Sequence, residues 1–504
     1  MKLFLQREDS RGPERPGNGT FAVLYDFQRT DPMVKLQHPA ELTDYEPHRQ
    51  AQSDLLFLRG YPSPEWLSAV GSRVDVDIEF LEHHLQLYAK QPVQLARTWP
   101  PVASQAVMEP RLRLTTLGYL LDSDESTRSS VSHVQKLRQR TRGLFGSYLD
   151  SIRNDEVGLG DSLLHSICVH DGTNFSFGQD ISICVKQTEI GWFALIWLDF
   201  GSHNLADGPK GRHLLAPLGS NPANTIFRPT VFGRACEARD GTPTRGSTDD
   251  PNISAECIDQ NAMHLWRNYD YGLYINLARS SSLHAPSKLF AFAAASGSQF
   301  LNLIQRLVDD EVRLADAFEP ENASMSNLLH HQQVLNERRR RLKGGPLALE
   351  EQSSWPHALS VTQTELHMTG HTQSKLYRDF DGLIRAAQDI ADECNRGARN
   401  VIQLASHAES QKAIAQAEDL GRLTRLATIF VPLTLIAAFF GMDSSLFGQG
   451  TLPIWVFFAA AGPTLVLSVL LLMPRWRQRL TSWFWPSIRR RTTHEDDLET
   501  GQLA

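Results

Sequence analysis

The 504-residue chain carries 50 Lys+Arg against 57 Asp+Glu, and the resulting formal net charge of −7 neither singles out nor excludes a class of partner. Its five cysteines (Cys168, Cys184, Cys236, Cys257 and Cys394) form no close pair and no CxxC, which excludes a disulfide framework and reads as reduced cytosolic thiols. No catalytic triad, paired-carboxylate spacing or phosphate loop stands out, so the composition and motifs favour no enzyme.

Residues 1–54 are polar and Pro-rich, hold no apolar run of signal-peptide length, and read as a variable, poorly ordered N-terminal arm. Order is expected from Leu55-Leu56-Phe57-Leu58, a short apolar run suited to a buried strand, and residues 55–370 read as one cytosolic α/β domain. Pro62–Leu67 carries a helix start with Ser63 as N-cap, and Asp77–Gln86 places Ile78, Leu81 and Leu85 at helical spacing. His83 and His84 are adjacent there, and neighbours on a helix point in different directions, which argues against a metal pair.

Between Arg111 and Phe200 the pattern changes to strands: Arg111–Leu121, Leu164–His170, an alternating run around Ile181, Ile183 and Val185, and the almost wholly apolar Trp192–Leu198 after a turn at Gly191. Asp180 and Asp199 fall at strand ends, where the plain reading is two carboxylates at a sheet edge. Residues 201–263 read as a flexible insertion, its centre (Gly241–Asn252) rich in turn formers. Helices follow. Leu289–Phe318 is amphipathic and carries Asp309-Asp310-Glu311, and Leu328–Lys343 ends in Arg338–Arg341 before Gly344-Gly345-Pro346 breaks it. The basic run is short and follows Glu337, so it reads as a solvated face paired with acidic neighbours; no nucleic-acid partner is expected. His367 and His371 lie four apart with no evident third metal ligand.

From Leu376, apolar or small residues recur every three or four positions: Phe380, Leu383, Ala387, Ile390, Cys394, Ala398, Val401, Ala405 and Ala408. A core helix of the domain would show that spacing, but the absence of any break before the membrane favours a stalk packed on copies of itself. With no Pro between Pro356 and Pro432, a stalk helix over 371–425 can run unbroken into the membrane, roughly 70 residues or on the order of 100 Å.

Two apolar runs close the chain, at 423–442 and 452–473, each about the 20 residues that cross a bilayer, joined by the short polar loop 443–451. A buried core hairpin is the alternative, but the second run has no charged residue along its length. Arg422 and Arg425 precede the first run, Arg475, Arg477 and Arg479 follow the second, and the loop has no Lys or Arg. The positive-inside rule then puts both termini in the cytosol, including the tail 474–504, basic and then acidic, and leaves only the loop outside. The sequence does not name the membrane. Trp455 near the outer end of the second run, and Trp476, Leu480 and Trp483 beyond its inner end, suit contact with membrane lipid at the interfaces.

The stretch RLTRLATIFVPLTLIAAFFGMD, followed by LP-WVFFA in the second run, resembles the C-terminal hairpin of the CorA-type magnesium transporter family. The family's Gly-Met-Asn signature at the outer end of the first span stands here as Gly441-Met442-Asp443. The resemblance implies a homopentamer whose first-span helices line the pore, with Mg2+ or another divalent cation as the transported and possible regulatory ion. It also implies that Asp309, Asp310 and Glu311 are a candidate regulatory cation patch in the cytosolic domain. Helical spacing picks out Leu420, Leu423, Ala427, Val431, Thr434, Ala438 and Gly441 as the pore stripe, with Ile429, Leu433, Ile436 and Phe440 on the other side. An Asp443 ring at the mouth would attract cations more strongly than the family's Asn. The expected function is a divalent-cation channel or transporter, magnesium first. The alternative is a CorA-like, non-conducting sensor or scaffold anchored in the membrane.

Overall fold

The computed structural model describes residues 20–46, 51–74, 76–85, 109–120, 131–153, 157–201, 225–230, 261–267, 269–270, 273–316, 322–350, 355–356, 362–441 and 455–472. Two compact units divide the chain, 1–401 and 402–504.

The first unit is built on an eight-stranded sheet. Its strands are β1 (Ala22–Asp26), β2 (Met33–Leu36), β3 (Gln52–Arg59), β4 (Arg111–Leu120), β5 (Ser166–Val169), β6 (Asn174–Thr188), β7 (Gly191–Leu198) and β8 (Thr225–Arg228). The order is β2-β1-β3-β7-β6-β4-β8, with β5 pairing on β6. Every pairing is antiparallel except β3 with β7. Strand alternation sends successive side chains to opposite faces, and both faces are covered. Leu55, Phe57, Ile181, Ile183, Ala194 and Ile196 belong to one core, while Leu56, Leu58, Cys184, Phe193, Leu195 and Trp197 belong to the other.

The second of these cores is closed by α1 (Pro39–Thr43), α2 (Pro64–Val74), α3 (Ile78–Leu85) and α4 (Val131–Arg153), through Leu42, Trp66, Val70, Leu81, Tyr148 and Ile152. The first is closed by α5 (Ile275–Ser280), α6 (Ser287–Asp316), α7 (Asn322–Leu342), α8 (Gly344–Glu350) and the beginning of α9 (Gln363–Gly441). The result is an α/β three-layer unit. Ser63 takes the capping position expected for α2, its Oγ lying 3.4 Å from the Trp66 amide.

Three expectations are corrected. The N-terminal arm is not poorly ordered from Ala22 onward: β1 is a buried central strand, paired with β2 and β3, because AVLYD is apolar enough to be covered on both faces. The insertion at 201–263 contributes β8, which pairs antiparallel with β4, and a 3-10 turn at Asn261–His264. The seam from Leu376 to Val401 is filled within the protomer. Leu376, Phe380, Leu383, Ala387, Ile390 and Cys394 are buried members of the domain core, and Phe380 meets Phe290 of α6 edge to face at 6.3 Å. Beyond Val401 the spacing continues but the burial does not, since Ala405 is exposed.

In the second unit, α9 continues through Pro432 to Gly441, and α10 (Trp455–Leu472) lies within the second apolar run. Among the described residues α9 is long and apolar enough to cross a membrane, whereas the apolar part of α10, Trp455–Val469, is shorter.

Candidate functional site: an apolar helix and a buried charge network

The apolar window of α9 has no side chain buried in the protomer. Leu420 and Leu423 are each 63% exposed and Val431 64%, values incompatible with a helix whose neighbours are complete. Ala427, Thr434 and Ala438 of the stripe are exposed too, but so are Leu426, Phe430 and Leu435 around the helix. The exposure therefore does not single out one face. Three hydroxyls are folded back onto the backbone: Thr424 donates to the Leu420 carbonyl, Thr428 to Thr424 and Thr434 to Val431, at 2.8, 2.7 and 2.9 Å. Such back-bonding satisfies the hydroxyl proton inside the helix. From Thr428 to Ala438 it leaves the hydroxyl oxygen lone pairs on an apolar surface, whereas Thr424 lies between the exposed Arg422 and Arg425. Gly441 is the last residue of α9, while Met442, Asp443 and the loop 443–451 lie outside the described residues.

The proposed regulatory acids do not converge. Asp309 accepts from Gln305 at 2.7 Å, Asp310 pairs with Arg313, and Glu311 accepts from Asn327 at 2.6 Å. Three successive residues on α6 point in different directions, and each carboxylate has its own partner. His367 and His371 are both exposed. Arg338 departs from the solvated reading of its run: it is 5% exposed, with its guanidinium over the Phe300 ring at 5.6 Å, while Arg341 makes the expected pair with Glu337 at 2.7 Å.

A buried charge network stands where the sequence offers only two strand-end carboxylates. Register builds it. Arg113 of β4 lies opposite Asp180 of β6, and β6 pairs with β7 so that Ile181 faces Leu198, bringing Asp180 beside Asp199. Arg113 grips Asp180 with two donors, Nε to Oδ1 and Nη2 to Oδ2 (the latter 3.0 Å). His165 Nε2 lies 2.9 Å from Asp199 Oδ2 and 3.5 Å from Asp180 Oδ2. His84 of α3 places Nε2 3.2 Å from Asp199 Oδ1 and Nδ1 2.8 Å from Ser182 Oγ, with its ring stacked on Trp197 at 4.0 Å.

Electrostatics favour a structural role for this network. Burial raises the Asp180 carboxyl, but Arg113, His165 and Arg111 outweigh it and hold the group well below the usual carboxylate range. Burial likewise opposes ionisation of Asp199, and His165 and His84 overcome it. The His84 imidazole is pushed down by burial, against the pull of Asp199. His165, Asp180 and Asp199 lie close enough to hold a cation. However, both Asp180 oxygens are already taken by a guanidinium whose charge repels one. Asp180 and Asp199 were legible in sequence as residues; the roles of Arg113, His84 and His165 were not, because strand pairing brings in Arg113 and the packing of α3 and of the segment before β5 brings in the two histidines.

Residues 297–475 match the family model described as CorA-like Mg2+ transporter protein, which spans α6 to the end of the second apolar run and leaves the sheet outside it. No curated protein matches the chain. Among solved structures it is similar to the CorA magnesium transporter from Methanocaldococcus jannaschii at 12% identity and a TM-score of 0.34, over 90% of this chain and 96% of that one. Overlap that loose settles neither fold nor function.

Proposed function

From the premise that residues 297–475 make this chain a member of the CorA-like Mg2+ transporter family, we propose that it is a membrane transporter for divalent cations, magnesium first. The observation that carries the reading is the apolar window of α9, which lies inside the matched segment and has none of its side chains buried in the protomer. Water cannot be the medium for such a surface at this length; lipid and other copies of the helix can.

One α9 per protomer cannot enclose a pathway, so transport requires several copies around an axis, five by family resemblance. The stripe Leu420, Leu423, Ala427, Val431, Thr434, Ala438 and Gly441 then faces the axis, and the 452–473 helix packs outside. The loop 443–451 lies on the side of the membrane away from the cytosol, with both termini in the cytosol, as the Arg flanks favour. Mg2+ sheds water reluctantly, so it travels with part of its hydration shell, and the Thr434 oxygen accepts from that shell. Leu420 and Leu423, toward the cytosol, form an apolar constriction of the kind that closes by dewetting. Asp443 at the mouth concentrates cations.

The test is uptake of Mg2+ into liposomes carrying the full-length protein and a trapped indicator. Uptake that saturates with Mg2+ and is absent from empty liposomes supports the reading. Protein that inserts with uniform orientation and yields no flux of any divalent cation overturns it.

A further inference from the structure

Away from the charge network, the hairpin of β5 and β6 and the helix α7 bring one thiol and two imidazoles together. Cys168 Sγ lies 3.8 Å from His170 Nδ1 and 3.5 Å from His330 Nε2, and all three ligand atoms fall within 4.8 Å of one another. Zn–S near 2.3 Å and Zn–N near 2.05 Å at a tetrahedral angle put sulfur and nitrogen about 3.6 Å apart. The two observed separations bracket that value.

We propose that Cys168, His170 and His330 form a three-ligand site for a borderline-soft transition cation, with Zn2+ as the best match, leaving the fourth position to water. The donor set is one that Mg2+, which seeks oxygen ligands in an octahedron, does not favour. The site is therefore chemically separate from transport.

The site is preorganised from three elements. Cys168 lies on β5 opposite Ser176 of β6, and His170 follows directly after the end of β5. Asp171 fixes the hairpin turn by accepting from the Thr173 amide at 2.6 Å and the Asn174 amide at 2.5 Å. His170 Nε2 is 2.8 Å from Ser176 Oγ, an outer partner that holds the ring with Nδ1 toward the sulfur. Arg138 of α4 clamps the layers, donating to the Val169 carbonyl at 3.0 Å, the His170 carbonyl at 2.6 Å and Asn327 Oδ1 of α7 at 2.9 Å.

The adjoining His331 is 2% exposed, its ring stacks on His170 at 6.1 Å, and its Nδ1 has no hydrogen-bond partner among the described residues. A bound ion would tie β5, held in the sheet by β6, to α7 and so to the helical layer that leads into α9.

The test uses full-length reduced protein, stripped by chelator and titrated with Co2+ as a spectroscopic stand-in, with excess Mg2+ present throughout. The expected result is one equivalent per chain giving a thiolate-to-cobalt charge-transfer band and tetrahedral visible bands, displaced by Zn2+. Cys168→Ser should abolish the charge-transfer band, Ser176→Ala should weaken Co2+ binding roughly tenfold, and Cys394→Ser should leave both unchanged. His330→Ala, on the half-buried side of the site, should lose the tetrahedral bands even if Cys168→Ser fails to fold. An octahedral spectrum, or a charge-transfer band that survives in Cys168→Ser or tetrahedral bands that survive in His330→Ala, overturns the proposal.

Discussion

Phe380→Ala separates two uses of the α9 seam. The ring is 3% exposed, meets Phe290 edge to face, and lies so close to Gly345 that a Cβ there would stand 2.7 Å from the ring. Deleting such a ring costs about 3–5 kcal/mol, of which the aromatic pairing supplies roughly 0.5–1.5. Against a total stability on the order of 5–15 kcal/mol that is a large fraction. It should lower the melting temperature of the detergent-solubilised protein by about 10 °C. A double-mutant cycle with Phe290→Ala should return a coupling near the pairing value. Because the seam is filled inside the protomer, the shift should not depend on protein concentration, and cross-linking ladders of the surviving folded protein should be unchanged. A variant of unaltered melting temperature that falls apart into monomers would show instead that the seam packs against a second copy. Ile390→Asp puts a charge among buried core side chains and should unfold the protomer before it affects assembly.

Asp180→Asn leaves Arg113 with a neutral partner in a buried site and should destabilise by about 3–5 kcal/mol, read as a drop in melting temperature; Arg113→Met with Asp180→Leu should recover much of it. The pH dependence has a definite sign. His84, His170 and His330 are held neutral by burial, so the stability they contribute is whole above about pH 6.5 and is lost as pH falls below it. The lowered carboxyls of Asp180 and Asp199 add a second loss only below about pH 4. Between pH 7 and 5 the imidazole loss runs against a gain from Asp54 and Glu109, whose carboxyls burial raises to about 7. In a background of Asp54→Asn and Glu109→Gln the melting temperature should therefore fall over that range, and a rise there would contradict the burial of these imidazoles. Gly118→Ala places a Cβ 2.2 Å from Phe175 Cζ and should cost about 1–3 kcal/mol, with Phe175→Leu relieving the clash; equal stability of all three would contradict the close approach of β4 and β6. Asp443→Asn restores the family signature and should weaken divalent binding at the mouth while sharpening preference for Mg2+, and Asp443→Ala should do worse; identical uptake by all three proteins would remove Asp443 from the pathway.

The strands that bound the charge network were readable because each carried a local signal: the alternation around Ile183, the Gly191 turn, and the unbroken apolar run to Leu198. β1 escaped because a strand covered on both faces has no alternation to show, and five residues are too few for a run to stand out from the polar chain around them. The spacing from Leu376 to Val401 is the same whether the seam meets α6 and α7 or another copy, and only tertiary packing decides between them. Asp180 and Asp199 were visible as carboxylates, but the strand-end expectation holds only for Asp199, since β6 runs on through Asp180 to Thr188; their partners come from β4, α3 and the segment before β5, and only tertiary folding joins them. Cys168 and His170 lie two apart in the chain, a local hint, yet His330 lies 160 residues further along and no pattern links them. The apolar helix was the most legible feature of all, since membrane length and composition are local properties.

In the proposed transporter, one face of 423–442 lines a path for divalent cations. Single cysteines placed at Thr434 and at Ile436, on opposite sides of α9, test it directly when a membrane-impermeant thiol reagent is added during Mg2+ uptake by proteoliposomes. The unmodified protein, with its five native cysteines, sets the baseline. Block of uptake by the reagent in Thr434→Cys, with Ile436→Cys indistinguishable from baseline, is the predicted result. Block at Ile436 with Thr434 untouched, or uptake unaffected at both positions, would contradict it.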